Sequence, residues 1–332
     1  MPSVRATPLT LLLCVALFLP VLADAQDLEL RVMTYNIYWG GHDHGSVQGR
    51  DREWLGVIEN HNPDLILLQE CNGWHESEEN YIAIYVDSLN QSFPEYPPYE
   101  GYVGFAWTGF HVTVISRLPI ISFETFHEVP VGPEIVEIHH VFIHAILDAW
   151  GTPAHAIGVH FKPGQNREDR QREACALLEI LDGLPVGETV WIGGDFNSYS
   201  PIDCEPGSPT PPDYAHGALP PEIKGWEPVG YLLDRGYEDS FRTQHPLELG
   251  YTQETEGMHP GGLGPVQRVD FVLRSPNSAW ELYSSEVITD SLGHIGSDHY
   301  AVFSTYRRPS PAAVDVGESA QGRCHLWALP NP

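Results

Sequence analysis

The chain has 332 residues, of which 42% are hydrophobic and 19% are charged, a composition that indicates a globular protein with a large core and excludes a disordered chain. Lys and Arg number 17 against 45 Asp and Glu, so the formal net charge is -28, and only two of the cations are lysines, Lys162 and Lys224. A field this negative repels polyanions such as nucleic acid, so any such ligand must be held at a local site, with a bound cation supplying positive charge.

The first 25 residues have the pattern of a secretory signal peptide. Arg5 precedes an apolar run from Leu11 to Leu19, and Ala23-Asp24-Ala25 is a small-x-small cleavage site. We therefore predict cleavage before Gln26 and a secreted protein, extracellular or periplasmic. The alternative is an N-terminal membrane anchor, for which the run is short. No transmembrane segment is predicted in the mature chain.

Apolar segments with strand character recur along residues 26–306, which we predict to be one domain, with 307–332 as a C-terminal extension. The strand candidates are Leu28–Trp39, Asp64–Gln69, Val112–Ser116, Ile135–Leu147, Ala154–Phe161, Thr189–Ile192, Arg268–Leu273 and Tyr300–Tyr306. Helical spacing predicts helices over Asp51–His61 and Asn166–Leu181, the second with Asn166 as its N-cap. Strands dominate and helices intervene irregularly, which predicts an α/β fold with sheet packed on sheet and helices outside.

Four cysteines remain after the predicted cleavage: Cys71, Cys175, Cys204 and Cys324. In an exported protein they predict one or two disulfides, in three possible pairings. Cys204 and Cys324 both lie in proline-rich sequence, so we favour that pair.

Eight polar side chains stand out, seven of them close to the point where an apolar strand begins or ends and one, Asp270, inside a strand. They are Asn36, Glu70, His160, Asp195, Asn197, Asp270, Asp298 and His299. Each alone is typical of a residue that closes a turn. Together, carboxylates, amides and imidazoles suit a hard cation and a phosphate, and oxygen ligands favour Mg²⁺ or Ca²⁺ over zinc. Asp270 and His299 could form a pair in which the carboxylate orients the imidazole as a general base.

The chain contains no GxSxG, HExxH, GxGxxG or GxxxxGK[ST] motif. Serine esterases, zincins, Rossmann dehydrogenases and P-loop proteins therefore lose their usual sequence support.

Over residues 30–306 the chain resembles the endonuclease/exonuclease/phosphatase superfamily, which includes pancreatic-type deoxyribonucleases, abasic-site endonucleases, neutral sphingomyelinases and inositol polyphosphate 5-phosphatases. The motifs that carry the resemblance, in order, are Met33-Thr34-Tyr35-Asn36, Gln69-Glu70, Val159-His160, Gly194-Asp195-Phe196-Asn197, Arg268-Val269-Asp270-Phe271 and Ser297-Asp298-His299. The resemblance implies a four-layer α/β sandwich, in which two mixed β-sheets pack face to face with helices outside.

The resemblance also implies a metal site. Glu70 is expected to be the main ligand, with Asn36 and Asp298 near the same cation. The expected cation is Mg²⁺, with Mn²⁺ or Ca²⁺ as alternatives.

The remaining residues are assigned to the reaction, an in-line attack of water on phosphorus. Asp195 is expected to position or deprotonate the water, and Asn197 to hold a phosphate oxygen. His160 is expected to hydrogen-bond phosphate, and His299, oriented by Asp270, to contact phosphate or act as the base. Whether His299 or Asp195 takes the proton stays open.

The implied function is a secreted, metal-dependent phosphodiester hydrolase, with an extracellular endonuclease acting on nucleic acid as the first expectation. We expect a monomer with no stable protein partner. One alternative is the same chemistry on a phospholipid, sphingomyelin or a small phosphoester. Another is a non-catalytic binding module on this fold.

Two further groups of residues are candidates for phosphate binding. The family has an aromatic residue or Arg between the Gln-Glu and His160 motifs, a region that contains Phe110, His111 and Arg117. After His160 comes a set of four cations, which form either a basic lip near the phosphate or a solvated helix start. They are Lys162, Arg167, Arg170 and Arg172.

Overall fold

The computed structural model describes residues 27–42, 49–75, 80–204, 218–253, 255 and 266–308, and a compact unit spans Leu28–Arg308. The described strands, in chain order, are β1 Leu28–Asn36, β2 Leu65–Gln69, β3 Glu100–Gly104, β4 Val112–Ser116, β5 Ile120–Val131, β6 Glu134–Asp148, β7 Pro153–His160, β8 Thr189–Asp195, β9 Glu238–Asp239, β10 Asp270–Arg274, β11 Glu281–Val287 and β12 Val302–Arg308. The described helices are α1 Asp51–His61, α2 Tyr81–Ser92, α3 Arg167–Asp182, α4 Pro201–Cys204, α5 Pro221–Lys224, α6 Glu227–Asp234, α7 Ser240–Gln244 and α8 Gly293–Gly296, with a 3₁₀ turn at Trp39–Gly41.

The strands form two mixed six-stranded sheets. The first has the order β11-β12-β1-β2-β4-β3 and the second the order β5-β6-β7-β8-β10-β9. Leu30, Val32 and Val302 of the first sheet pack with Ile143 and Trp191 of the second in one apolar core. This sheet-on-sheet core confirms the predicted α/β fold class.

Helices cover the outer face of each sheet. Trp54 and Ile58 of α1 pack in a second apolar cluster with residues of β1 and β2, such as Met33. Leu177 of α3 and Val229 of α6 pack in a third cluster with residues of β7, β8 and β10. Two sheets and two helical layers make the four-layer sandwich.

Two differences from the sequence prediction have a clear local cause. The first strand ends at Asn36 rather than Trp39, because Tyr38 and Trp39 adopt positive φ and the chain turns into the 3₁₀ segment. Asn166 occupies the N-cap position of α3, but its side chain donates to Pro163 O at 2.6 Å instead of capping the helix. The helix is therefore stabilised chiefly by burial of its apolar face.

Cys71, Cys175 and Cys204 form no disulfide with one another, and Cys324 lies outside the described residues, so the Cys204–Cys324 pair stays a prediction. In the part of the chain that the structure describes, no helix has the length and apolar character needed to cross a membrane.

Candidate active site

Strand pairing brings residues of both sheets to one edge of the sandwich. Asn36 ends β1 and Glu70 follows β2, and these strands are parallel, so their carboxyl ends lie side by side. In the second sheet, His160 and Asp195 end the parallel strands β7 and β8 as register partners. Asp270 begins the antiparallel β10 opposite Asp195. Residues far apart in sequence thus share one end of the fold.

Asn36 connects the two sheets through its side-chain amide. Its Nδ2 donates to Glu70 Oε1 at 3.1 Å and to Asp195 Oδ2 at 3.2 Å. The same Asp195 oxygen lies 3.6 Å from His160 Nε2 and 3.8 Å from His299 Nε2. Glu70 and His299 therefore belong to one cluster, close enough to share a small anionic group.

Two residues of this cluster have a strained backbone. Glu70 has φ 58° and Asn197 has φ 46°, a region that non-glycine residues seldom adopt. Trp39 N donates to Glu70 Oε2 at 3.1 Å, and Asn197 N donates to Asp195 Oδ1 at 2.8 Å. These hydrogen bonds fix the directions of the Glu70 and Asp195 carboxylates.

The carboxylates on the Glu70 side fit a divalent cation. Burial and the nearby charge of Asp298 raise the pKa of Glu70 to about 7. Ser297, just before Asp298, is fixed by donating from Oγ to Asn36 O at 2.6 Å. Asp298 is buried and Glu70 is half-buried, and a positive charge would offset the repulsion between their carboxylates. The donor atoms of Asn36, Glu70 and Asp298 are the oxygens that Mg²⁺ prefers.

His299 and Asp270 form the expected imidazole–carboxylate pair. His299 Nδ1 lies 2.8 Å from Asp270 Oδ2, and both residues are buried. Burial disfavours the charged imidazole, but the carboxylates of Asp270, Asp298 and Asp195 raise the pKa of His299 well above its usual value. Burial and the charge of Asp195 raise the pKa of Asp270 to about 6. Ligand-type atoms of Asp195, Asp270 and His299 also lie within 4.8 Å of one another.

His160 differs from His299 in the direction of its pKa shift. Burial and the charge of His299 lower the pKa of His160 to about 3, so the ring is neutral at physiological pH. It stacks on His140 with ring centroids 4.1 Å apart, and its Nδ1 has no hydrogen-bond partner among the described residues. A neutral imidazole with a free buried nitrogen can hydrogen-bond a ligand.

Lys224 is a residue of the site that the motif analysis missed. It ends α5, is 4% exposed, and places Nζ 3.4 Å from Asn197 Oδ1. Burial lowers its pKa to about 8, against the raising effect of Asp195. No motif contains this residue. The only sequence signal was its rarity, as one of two lysines in an acidic chain.

The four cations after His160 are occupied by protein partners. Arg170 is 1% exposed and donates to backbone carbonyls, including that of Lys162 at 2.7 Å. The three other cations form ion pairs. These are Lys162–Asp169 at 2.6 Å, Arg167–Glu227 at 2.5 Å and Arg172–Glu134 at 3.4 Å. The structure therefore favours a structural role for this segment over the basic lip.

Of the three residues considered between the Gln-Glu and His160 motifs, only Phe110 contacts the described cluster. Its ring lies 6.4 Å from that of His160, edge to face. His111 Nδ1 instead accepts from Ala106 N at 3.0 Å. Arg117 follows β4 and pairs with Asp64 at 3.3 Å, at the opposite end of β2 from Glu70.

A buried network of ion pairs lies next to the start of β10, close to Asp270 in sequence. Arg268, two residues earlier, lies 2.8 Å from carboxylate oxygens of both Asp203 and Asp239. Arg242 contacts the other oxygen of Asp203 at 3.0 Å. The charges of the two aspartates raise the pKa of Arg268 despite its burial. The network fixes the backbone that leads into β10.

A sequence model of the Endonuclease/Exonuclease/phosphatase family matches residues 33–299. The uncharacterized protein YbhP of Escherichia coli K12 is 24% identical over 191 residues, which cover 53% of this chain and 70% of that protein. An endonuclease/exonuclease/phosphatase from Beutenbergia cavernae has a similar structure, with a TM-score of 0.59, 18% identity and coverage of 84% of this chain and 72% of that one. The 3'-5' exonuclease NExo from Neisseria meningitidis gives a TM-score of 0.58 and 20% identity over 83% of this chain and 98% of its own.

Proposed function

Because the chain belongs to the endonuclease/exonuclease/phosphatase family, we propose that it is an exported, divalent-metal-dependent hydrolase of phosphodiesters that acts on nucleic acid as a monomer. The observation that carries the proposal is the hydrogen-bonded link from Glu70 through Asn36 to Asp195, with His299 beside it. Nucleic acid as substrate is supported by the similarity to a 3'-5' exonuclease. Export is supported by the pattern of residues 1–25.

Asn36, Glu70 and Asp298 would hold the cation, which we take to be Mg²⁺, with Mn²⁺ or Ca²⁺ as alternatives. When bound, it supplies positive charge that neutralises a phosphate and stabilises the leaving oxygen. This charge would offset the net charge of -28, which otherwise repels an anionic ester.

The chain's own groups then have distinct tasks. Asp195 Oδ2 faces both His299 and His160 and is placed to position the attacking water and accept its proton. Asp270 fixes the orientation of His299, whose Nε2 donates to the phosphoryl group. His160 contributes a further hydrogen bond to a phosphoryl oxygen. Asn197 Nδ2 donates to Phe161 O at 3.1 Å and to Asp195 Oδ2 at 3.2 Å, so its contact with a phosphoryl oxygen requires exchange of the bond to Asp195. Such preorganised donors stabilise charge that develops during in-line displacement.

A substrate panel tests the proposal: plasmid DNA, RNA, sphingomyelin and bis(4-nitrophenyl) phosphate, each with Mg²⁺ and with EDTA. We expect the purified protein to nick plasmid with Mg²⁺ and EDTA to abolish the activity. Plasmid that stays intact with Mg²⁺, Mn²⁺ and Ca²⁺ would reject the nuclease. A phosphate-binding protein that hydrolyses no member of the panel would be a binding module.

The charge of the chain favours a second candidate, a hydrolase of a phospholipid, sphingomyelin or small phosphoester. The negative surface would repel the parts of a long duplex that lie outside the site, whereas a small ester would contact the site and little else. Hydrolysis of sphingomyelin or the chromogenic diester, with plasmid and RNA intact, would select this candidate.

Glu70→Gln is expected to weaken metal dependence. The substitution removes one negative charge from the proposed ligand set, so the Mg²⁺ concentration for half-maximal activity should rise at least about tenfold. Titration of activity with Mg²⁺ measures this. Glu168→Gln is the matched control, because Glu168 is exposed on α3 and makes the same change in net charge. Equal Mg²⁺ requirements in both variants would contradict the assignment of Glu70.

A further inference from the structure

The ammonium group of Lys224 is buried beside Asn197 and has one long hydrogen bond among the described residues. The side chain is 4% exposed, and in the described part of the chain its one hydrogen bond is the 3.4 Å contact with Asn197 Oδ1. Asp195 and Asp270 attract its charge, but neither carboxylate forms an ion pair with it. An ammonium group has three N–H donors, so at least two point to no described protein acceptor.

The backbone at Lys224 is fastened directly to the chain segments that follow His160 and Asn197. Arg170 Nε donates to Lys224 O at 3.0 Å, while its Nη1 donates to Lys162 O at 2.7 Å. Tyr199 N donates to the next carbonyl, Gly225 O, at 3.0 Å. The position of Lys224 is therefore set by the same elements that set His160 and Asn197.

Gly225 allows this close fit. It has φ 81°, and a Cβ there would lie 2.6 Å from Glu227 Oε2 and 2.8 Å from Arg167 Cγ. The chain thus turns sharply after Lys224, directly behind the residue whose side chain reaches the site.

Burying a poorly paired cation costs free energy, so its presence indicates a partner that the described part of the chain does not supply. The other buried cations near the site are already occupied: Arg50 donates to the carbonyls of Tyr38 and Gly296, and Arg170 to those described above. Arg117 lies at the far end of β2. Among the Lys and Arg side chains that the structure describes near the site, Lys224 is therefore the one that remains available to an anion bound beside Asn197.

On the basis of the proposed function, we propose that Lys224 is a further catalytic residue, whose ammonium group binds a non-bridging oxygen of the phosphoryl group beside Asn197. Lys224 supplies positive charge on the side of the second sheet, while a cation held by Glu70 would supply it on the side of the first. Lys224 would therefore bind phosphate, the role for which Phe110, His111 and Arg117 were the sequence candidates. A charge-assisted hydrogen bond of this kind strengthens as the phosphoryl oxygens gain charge in the transition state.

The experiment compares wild-type protein with Lys224→Gln and Lys224→Met. It measures kcat/KM for bis(4-nitrophenyl) phosphate, the affinity for inorganic phosphate by calorimetry with Mg²⁺, and the thermal midpoint. We expect kcat/KM to fall about 10²-fold, as for the loss of one transition-state donor, and phosphate binding to weaken. The thermal midpoint should hold or rise, because a buried unpaired charge is removed. Arg235→Gln, which breaks a surface pair with Asp182, is the control and should match wild type in kcat/KM and phosphate affinity.

Wild-type values of kcat/KM and phosphate affinity in both Lys224 variants would overturn the inference. So would a loss of activity that merely follows a matching loss of folded protein, measured by circular dichroism, since this would make Lys224 a structural cation. If wild-type protein hydrolyses no diester and binds no phosphate, the proposed function fails. If it does both and the Lys224 variants equal it, only this inference fails.

Discussion

Replacing His299 with alanine is expected to lower kcat about 10²- to 10⁴-fold while leaving the fold intact. The imidazole lies between Asp270, which binds its Nδ1 at 2.8 Å, and Asp195, 3.8 Å from its Nε2. Alanine removes the donor that faces the substrate and leaves Asp270 without its partner. Steady-state hydrolysis of bis(4-nitrophenyl) phosphate measures the loss, and circular dichroism checks the fold.

His61→Ala is the matched control for this loss. His61 ends α1, just before β2, and so lies at the opposite end of that strand from Glu70. The control should keep wild-type kcat. A His299→Ala enzyme within tenfold of wild type would show that the reaction takes place elsewhere.

Arg268→Met is expected to lower the free energy of unfolding by about 3–5 kcal/mol, because it leaves the buried carboxylates of Asp203 and Asp239 without their shared cation. The Arg268 side chain is 2% exposed, so solvent cannot replace the lost charge. Urea unfolding measures the change. Activity should fall as well, since Arg268 fixes the backbone two residues before Asp270.

Arg307→Met is the comparison for this loss of stability. Arg307 pairs with Glu29 at 2.9 Å, but the two side chains are 40% and 44% exposed. Solvent screens such a pair, so little or no change is expected. If the two variants unfold at the same urea concentration, the buried network contributes no more to the stability of the protein than the exposed ion pair.

The strands that sequence reasoning found and those it missed differ in their place in the sheets. All eight predicted strands are interior, whereas the missed strands β3, β5, β9 and β11 are the four edges. Interior strands are covered on both faces and read as apolar runs, as in Leu65–Gln69. Edge strands such as Glu281–Val287 are largely exposed and carry polar residues, so their hydrophobic pattern is weak.

Six of the eight described helices were not predicted, and α2, the longest of the six, was missed for a different reason. Residues Tyr81–Ser92 form α2, but the segment begins with Tyr, Ile and Val among its first six residues. Aromatic and β-branched residues favour strands locally. Packing of Tyr85 and Leu89 against the first sheet overrides that preference, which the local sequence could not show.

The candidate site was largely predictable because its members end strands, and strand order follows from the family resemblance. Lys224 was not, because it lies in a proline-rich segment and reaches the site only through tertiary contacts of Arg170 and Tyr199. For the same reason the sequence could not show that Arg170 is buried and structural while Lys224 faces the site. The different roles of Arg170 and Lys224 can be told apart from their contacts in the folded structure, but not from motifs.

We propose that one divalent cation and one phosphate share the cluster at this edge of the sandwich. Anomalous diffraction from crystals soaked with Mn²⁺ and inorganic phosphate tests this directly. We expect a manganese peak contacted by Glu70 and Asp298, with the phosphate between it and Asn197, His299 and Lys224. A manganese ion bound among Asp195, Asp270 and His299 with Glu70 free, or a phosphate bound elsewhere, would contradict it.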